Sequence, residues 1–225
     1  MDRDLLLVED LMLLLLDDTS GSLKGAGTIH YTLGGAMLID LALRGRVEID
    51  KGQTVTAIPG EPLDDPLLQA AVETTLKRPR YVQTSLIELG STLRADVMKR
   101  LIERGLIAEE KSKMLGFIPV TKTPAQDAAY EAALLESVRA VLEDGAEPTE
   151  RTGALAALLS ASGTLPEFDP AIRWGNDVAT RGFALQRGDW GATAVNTAIM
   201  QQIMATGIAL AVAVAAGSVA GNQTQ

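Results

Sequence analysis

LRADVMKRLIERGLIAEEKSKMLGFIP, residues 93–119, is the stretch from which the rest of the chain is read. Leu93, Val97, Met98 and Leu101 recur at helical spacing, and Arg104-Gly105 ends that helix. The strand-like Leu106-Ile107-Ala108 follows, then a hairpin whose tip carries Met114, Leu115, Phe117 and Ile118. Hairpin tips face water and favour Gly, Asn, Asp and Ser. This tip is apolar, with Lys111, Lys113 and Lys122 on its shoulders. Apolar side chains ringed by lysines suit a surface that touches an anionic membrane or a protein partner.

The remaining sequence must supply a body for that finger. At 225 residues, 47% of them hydrophobic, the chain is long and apolar enough to bury a substantial core. A formal charge of −9 argues against a general nucleic-acid binder, which needs a net basic face. It also means that contact with anionic lipid rests on a local basic patch. Cysteine is absent, so neither disulfide nor thiolate chemistry operates, which fits a reducing compartment. Asp4, Glu9 and Asp10 interrupt the first apolar run, so it reads as a buried or amphipathic helix rather than a signal peptide. From Gly191 to Gln225 there is no charge. A membrane span needs about 20 apolar residues. Asn196, Gln201, Gln202 and the alanine-rich composition favour instead a helix buried at the centre of a bundle.

Helical patterns cover 4–16, 33–44, 65–77, 82–89, 92–104, 125–143, 149–160, 169–187 and 191–219. Asp64-Asp65-Pro66 places proline in a first turn with acids at the positive helix end, and Thr123-Pro124 does something similar. Thr149 caps the segment that begins Glu150-Arg151. Gly45 and Gly105 stand just past helix ends, where glycine best tolerates a left-handed backbone. One internal echo appears. Leu38-Ile-Asp-Leu-Ala-Leu-Arg-Gly-Arg-Val and Val97-Met-Lys-Arg-Leu-Ile-Glu-Arg-Gly-Leu-Ile are each an apolar-faced helix, then Arg-Gly, then a β-branched strand. After the first, residues 47–58 read as a hairpin with Lys51-Gly52 in the turn. The loops at 59–66 and 145–148 are too short for domain linkers. The expectation is a mainly α fold: residues 1–225 as one globular helical bundle with a buried C-terminal helix and two small β-hairpins.

Taken in order, several segments resemble the Golgi phosphoprotein 3 family. They are Leu7-Val-Glu-Asp-Leu-Met-Leu-Leu-Leu-Leu-Asp-Asp, Gly34-Gly-Ala-Met-Leu-Ile-Asp-Leu-Ala-Leu-Arg-Gly-Arg-Val, Lys99-Arg-Leu-Ile-Glu-Arg-Gly-Leu-Ile, the hairpin with Phe117, and Arg151-Thr-Gly-Ala-Leu-Ala-Ala-Leu-Leu. The Ala/Arg/Asp/Leu-rich composition looks like that of a bacterial relative. The resemblance implies a peripheral protein at the cytoplasmic face of a membrane. It also implies a pocket for phosphatidylinositol 4-phosphate beside a hairpin whose apolar tip enters the bilayer, and client proteins as further partners. Family members place an arginine where this chain has Gly34, a tryptophan where it has Gly25, and two arginines where it has Ser91 and Arg94. A phosphomonoester needs several converging donors. Besides Arg94, those on offer are Lys24, His30 and the backbone N–H groups at Gly34-Gly35, if a helix starts there.

The headgroup set is therefore Arg94, Gly34 and Lys24, and the membrane-contact set is Met114, Leu115, Phe117, Ile118, Lys111 and Lys113. Each has a plainer alternative. Arg94 on a polar helix face is solvated or paired with Asp96 or Glu88, and the hairpin tip joins subunits of a homo-oligomer. His30 is the only histidine, and no nucleophile or acid can be assigned to it. Asp17-Asp18, Asp64-Asp65 and Glu109-Glu110 are adjacent pairs whose side chains diverge, so they read as caps rather than metal ligands. Gly25-Ala-Gly27 lacks the third glycine of a dinucleotide loop. Trp174 and Trp190 read as core or boundary anchors. No enzyme activity, metal or cofactor is expected. Two other function classes compete with lipid binding. One is a winged-helix DNA binder using Lys99, Arg100 and Arg104; the other is a protein-binding scaffold assembled through the hairpin.

Overall fold

The computed structural model describes residues 4–17, 20–108, 126–188 and 203, together with the backbone of 110–114 and 118–122. At its centre is α1 (Leu7–Leu15), whose nine residues are all buried. It packs against α2 (Ile29–Leu43), α4 (Val82–Glu103), α5 (Ala128–Leu142) and α6 (Glu150–Ala161). Seven of the nine residues, in LVEDLMLLL, are apolar, so the helix has almost no face suited to water. α3 (Pro66–Leu76) and α7 (Asn176–Gln186), the latter preceded by a 3-10 turn at Leu165–Phe168, complete the helices of the described residues. One continuous apolar core draws on every helix and includes Ile203, which is helical and fully buried. The rest of the expected C-terminal helix at 191–219 lies outside the described residues. Among the described residues no helix is long and apolar enough to cross a membrane.

The most extensive helix contact joins α2 and α4, and glycine makes it possible. A methyl group built on Gly34 would overlap the Leu86 carbonyl, and one built on Gly90 would overlap the His30 carbonyl. The two backbones therefore pass in direct contact, antiparallel, with 30 beside 90 and 34 beside 86. This corrects two expectations. α4 is one helix of 22 residues rather than two segments at 82–89 and 92–104, because packing offsets the roughly 1 kcal/mol helix cost of Gly90. α2 begins at Ile29, not at 33, because Ile29, Thr32 and Leu33 extend its buried surface past the glycine pair.

The first echo segment forms the expected hairpin. β1 (Val47–Ile49) and β2 (Thr54–Ala57) pair antiparallel with Val47 opposite Ala57 and Ile49 opposite Val55. A third strand, β3 (Arg80–Tyr81), was not anticipated; it extends that sheet through Thr54–Tyr81 and Val55–Arg80. After the second echo segment, Leu106 and Ile107 form a buried connection rather than a strand of the sheets. The Leu106 N–H donates to Leu101 O at 2.9 Å, and the Leu106 carbonyl accepts from Gln126 N at 2.8 Å. β4 (Glu110–Met114) and β5 (Ile118–Lys122) then make the second hairpin, from Glu110 opposite Lys122 to Met114 opposite Ile118. The helix expected over 169–187 is shortened at its start. The chain between the 3-10 turn and α7 carries Pro170 within a turn at 169–171 and reaches α7 through the extended backbone of Gly175.

Candidate functional site

Arg94 is on α4 one turn beyond Gly90, on the side where the antiparallel register brings α4 past the start of α2. Its side chain is exposed, and it makes no ion pair with any described residue. Of the two acids that sequence offered as partners, Glu88 is bound instead by Arg80 (Nε–Oε2 3.0 Å). The other two headgroup candidates fare differently. Lys24 is half-buried; its ammonium donates to the Leu16 carbonyl at 3.4 Å and stands 5.0 Å from the centre of the Phe168 ring. Gly34 is buried inside α2, one turn past the helix start, so its N–H is part of the helix ladder and presents nothing to a phosphate. The expectation of a Gly34-Gly35 anion site at a helix start is corrected accordingly. Gly34 serves helix packing.

The hairpin expectation is met in the backbone. Lys111 opposes Thr121, Lys113 opposes Pro119 and Met114 opposes Ile118. The tip, with Leu115 and Phe117, lies outside the described residues, as do all side chains of the hairpin.

What the sequence reading missed is a cluster of buried carboxylates around the α1 N-terminus. Glu9 is fully buried. It accepts from Leu6 N (2.8 Å), reaching back over the first turn as in a capping box, and from Arg100 Nε (3.1 Å), and Arg104 Nε forms an ion pair with it at 3.2 Å. Arg100 turns its other two nitrogens to Asp65 at 3.1 and 2.6 Å, and Asp65 also caps α3 through Leu67 N and Leu68 N. Asp10, equally buried, accepts from the Tyr130 hydroxyl (2.8 Å) and from Arg151 Nε (2.7 Å). Arg151 also donates to the Leu5 carbonyl at 2.7 Å. Asp40 joins α2 to α1 by accepting Leu7 N at 2.8 Å, and Arg44 covers its other oxygen at 2.9 Å.

The electrostatics follow from burial. Removal from water raises Asp40 to about 6, although Arg44 pulls the other way. Asp10 is raised for the same reason, against the opposing charge of Arg151. Burial also favours the protonated form of Asp65, but the Arg100 hydrogen bonds and two backbone N–H groups overcome it and hold this carboxyl below its usual range. Burial and the negative charge of Asp10 push the Tyr130 phenol up. A cleft of about 580 Å³ opens over this region, lined among others by Leu5, Arg44, Tyr130, Leu134 and Arg151.

One signal pointed to the cluster. The internal echo singled out Arg44 and Arg104, and both arginines end a helix by pairing with a buried acid. The same geometry disfavours the winged-helix reading. Of the three basic residues that reading needs, Arg100 and Arg104 are committed to Glu9 and Asp65, which leaves only Lys99, 3.7 Å from Glu103, on the surface.

The segments that carried the resemblance therefore meet in space: α1 supplies Glu9 and Asp10, α2 Asp40 and Arg44, α4 Arg100 and Arg104, and α6 Arg151. A comparison with curated proteins returns no match. The family model described as Golgi phosphoprotein 3 (GPP34) matches residues 7–202, from the first residue of α1 through nearly all of the chain. The chain belongs to the Golgi phosphoprotein 3 (GPP34) family.

Proposed function

We propose that this protein is a peripheral membrane protein that binds anionic phospholipid headgroups at the cytoplasmic face of a membrane, with Arg94 as the headgroup cation and the 110–122 hairpin as its apolar anchor. The observation that carries this reading is the state of Arg94: an exposed guanidinium on a rigid helix, left without a carboxylate while neighbouring arginines are taken. An unsatisfied guanidinium offers bidentate donors to a phosphate. Phosphatidylinositol 4-phosphate is the ligand that the family resemblance implies. With Gly34, Gly25 and Ser91 standing where relatives carry arginine, tryptophan and arginine, binding is charge-driven and only weakly selective for that headgroup. The lysines of the hairpin contribute roughly 1 kcal/mol each near an anionic surface, which offsets the repulsion of a chain with net charge −9. Client proteins and self-association through the hairpin are further partners under this reading.

Co-sedimentation with vesicles of phosphatidylglycerol, cardiolipin or phosphatidylinositol 4-phosphate in neutral lipid tests it. Binding to anionic vesicles is expected, falling with added salt, weakened in Arg94→Glu and abolished in a Leu115→Asp, Phe117→Asp double variant. Pelleting no greater than with phosphatidylcholine alone overturns the reading. Unchanged vesicle binding in the double variant removes the hairpin from it, and a change of oligomeric state in that variant assigns the hairpin to assembly.

A further inference from the structure

α4 carries a second feature beside its unpaired Arg94. At about 100° per residue, Ile87, Ser91, Arg94, Met98 and Ile102 fall within an arc of about 80°. Ile87 is 42% exposed and Ile102 39% exposed, two of the few large apolar side chains that the described residues leave to solvent. Met98, between them, is half-buried against the core. The acids of the helix are segregated from this arc. Glu88, Asp96 and Glu103 occupy the adjoining sector, where Arg80 pairs with Glu88 at 3.0 Å and Lys99 stands 3.7 Å from Glu103. The strip is thus apolar at both ends, cationic in the middle and free of carboxylates. Its C-terminal end leads through Arg104 and Gly105 toward the lysine-bearing hairpin.

We infer that this strip of α4 is a membrane-contact surface in its own right, lying along the headgroup layer of an anionic bilayer with Ile87 and Ile102 entering the acyl boundary on either side of Arg94. The inference rests on the peripheral-membrane reading above and adds an orientation to it. A helix placed this way has its apolar residues in the interface and its acids turned aside, so apolar burial and the Arg94 charge favour the same orientation. An anionic bilayer suits the strip better than a protein groove does, because the single cation at its centre has no counter-charge of its own. With the hairpin as one anchor and the strip as another, two weak contacts hold the protein in a single attitude.

The absence of native cysteine makes the test clean. Single variants Ile87→Cys, Ile102→Cys and Asp96→Cys are labelled with a polarity-sensitive fluorophore and mixed with phosphatidylglycerol vesicles. Blue-shifted emission and quenching by brominated acyl chains are expected at 87 and 102 and absent at 96. An Ile87→Ser, Ile102→Ser double variant, with its circular-dichroism melt checked against the parent, is expected to lose about tenfold in vesicle partitioning. If the parent co-sediments but position 96 responds like 87 and 102, or neither isoleucine position responds, the strip is not a contact surface and the peripheral-membrane reading stands. Unchanged partitioning of the double variant likewise excludes the strip and leaves that reading intact. If the parent binds no anionic vesicle, both fall together.

Discussion

Arg94 and Arg100 are on the same helix, less than two turns apart, and the protein uses them in opposite ways. Arg100 points inward and is saturated: Glu9 takes one nitrogen and Asp65 the other two. Arg94 points outward with no carboxylate among the described residues. The difference follows from which helix each faces. The inner side of α4 meets α1, whose buried Glu9 would be a stranded charge without a cation. The outer side meets solvent, where a lone arginine has no structural cost and is available to a ligand. Matching motifs therefore do not by themselves mark a binding site here. Those around α1 bind the chain to itself.

The contact that holds the two sides of α4 in place is also the easiest to break. In Gly90→Val the added side chain meets the His30 carbonyl, a backbone atom that cannot rotate away. The expected outcome is the largest of any single substitution, a loss of about 4 kcal/mol or more with recovery mainly as insoluble protein. A soluble variant with a melting temperature near that of the parent would show that the helices are not in backbone contact, and would remove the structural explanation for Gly34.

Next in size is the loss of a buried partner. Arg151→Met leaves Asp10 fully buried with the Tyr130 hydroxyl as its remaining side-chain partner. Breaking a buried pair from one side costs about 3–5 kcal/mol, and the lower end applies because Arg151 is itself 39% exposed. Chemical denaturation at neutral pH measures this. Adding Asp10→Asn in the same chain is expected to recover part of the loss, since the stranded charge goes with it.

The same cluster fixes the response to acid. Asp40 titrates at about 6 in the folded protein against a reference of 3.8. Between those values the folded state binds the proton more tightly than the unfolded state. The contribution of Asp40 to stability therefore rises as pH falls from 7 toward 4, by about 3 kcal/mol at most. Asp10, raised as well, acts in the same direction. Asp65, Glu136 and Glu143 are lowered, so the stabilisation they contribute is lost as pH falls below the ordinary carboxylate range. Urea midpoints are thus expected to hold or rise from pH 7 to about 5 and then fall. In Asp40→Asn the rise is expected to shrink. An equally steep rise in that variant would mean that another group carries it.

Particular residues show how much of this was written in the sequence. The helical spacing of Leu93, Val97 and Leu101, the Arg104-Gly105 stop, the Lys51-Gly52 turn and the Thr149 cap were legible because each is a local preference of few residues. Gly34 and Gly90 misled because a glycine inside a helix reads as a break. Only the partner backbone, more than 50 residues away in the chain, turns it into a contact. Glu9 and Asp10 were read as interruptions of an apolar run. Nothing local announces that Arg100, Arg104 and Arg151 will reach them across separations of 91 to 141 residues. Arg94 was legible as a candidate, but that Glu88 would be taken by Arg80 was not.

The smallest expected effect on stability sharpens the comparison most. Arg94→Gln removes a side chain that holds nothing in place, so its melting temperature is expected to match the parent, within about 0.5 kcal/mol. Arg100→Gln exposes Glu9 and Asp65 to partial loss of partners and is expected to melt earlier. On anionic vesicles the order reverses: Arg94→Gln binds less, and its residual binding depends less steeply on salt because one cation has left the contact. Arg100→Gln, measured below its own melting temperature, binds as the parent does. Two arginines on one helix then separate completely, one by heat and one by lipid. If both variants lose stability together, or both lose vesicle binding together, the inward and outward sides of α4 are not independent, and the division of labour between Glu9, Asp65 and the exposed guanidinium fails.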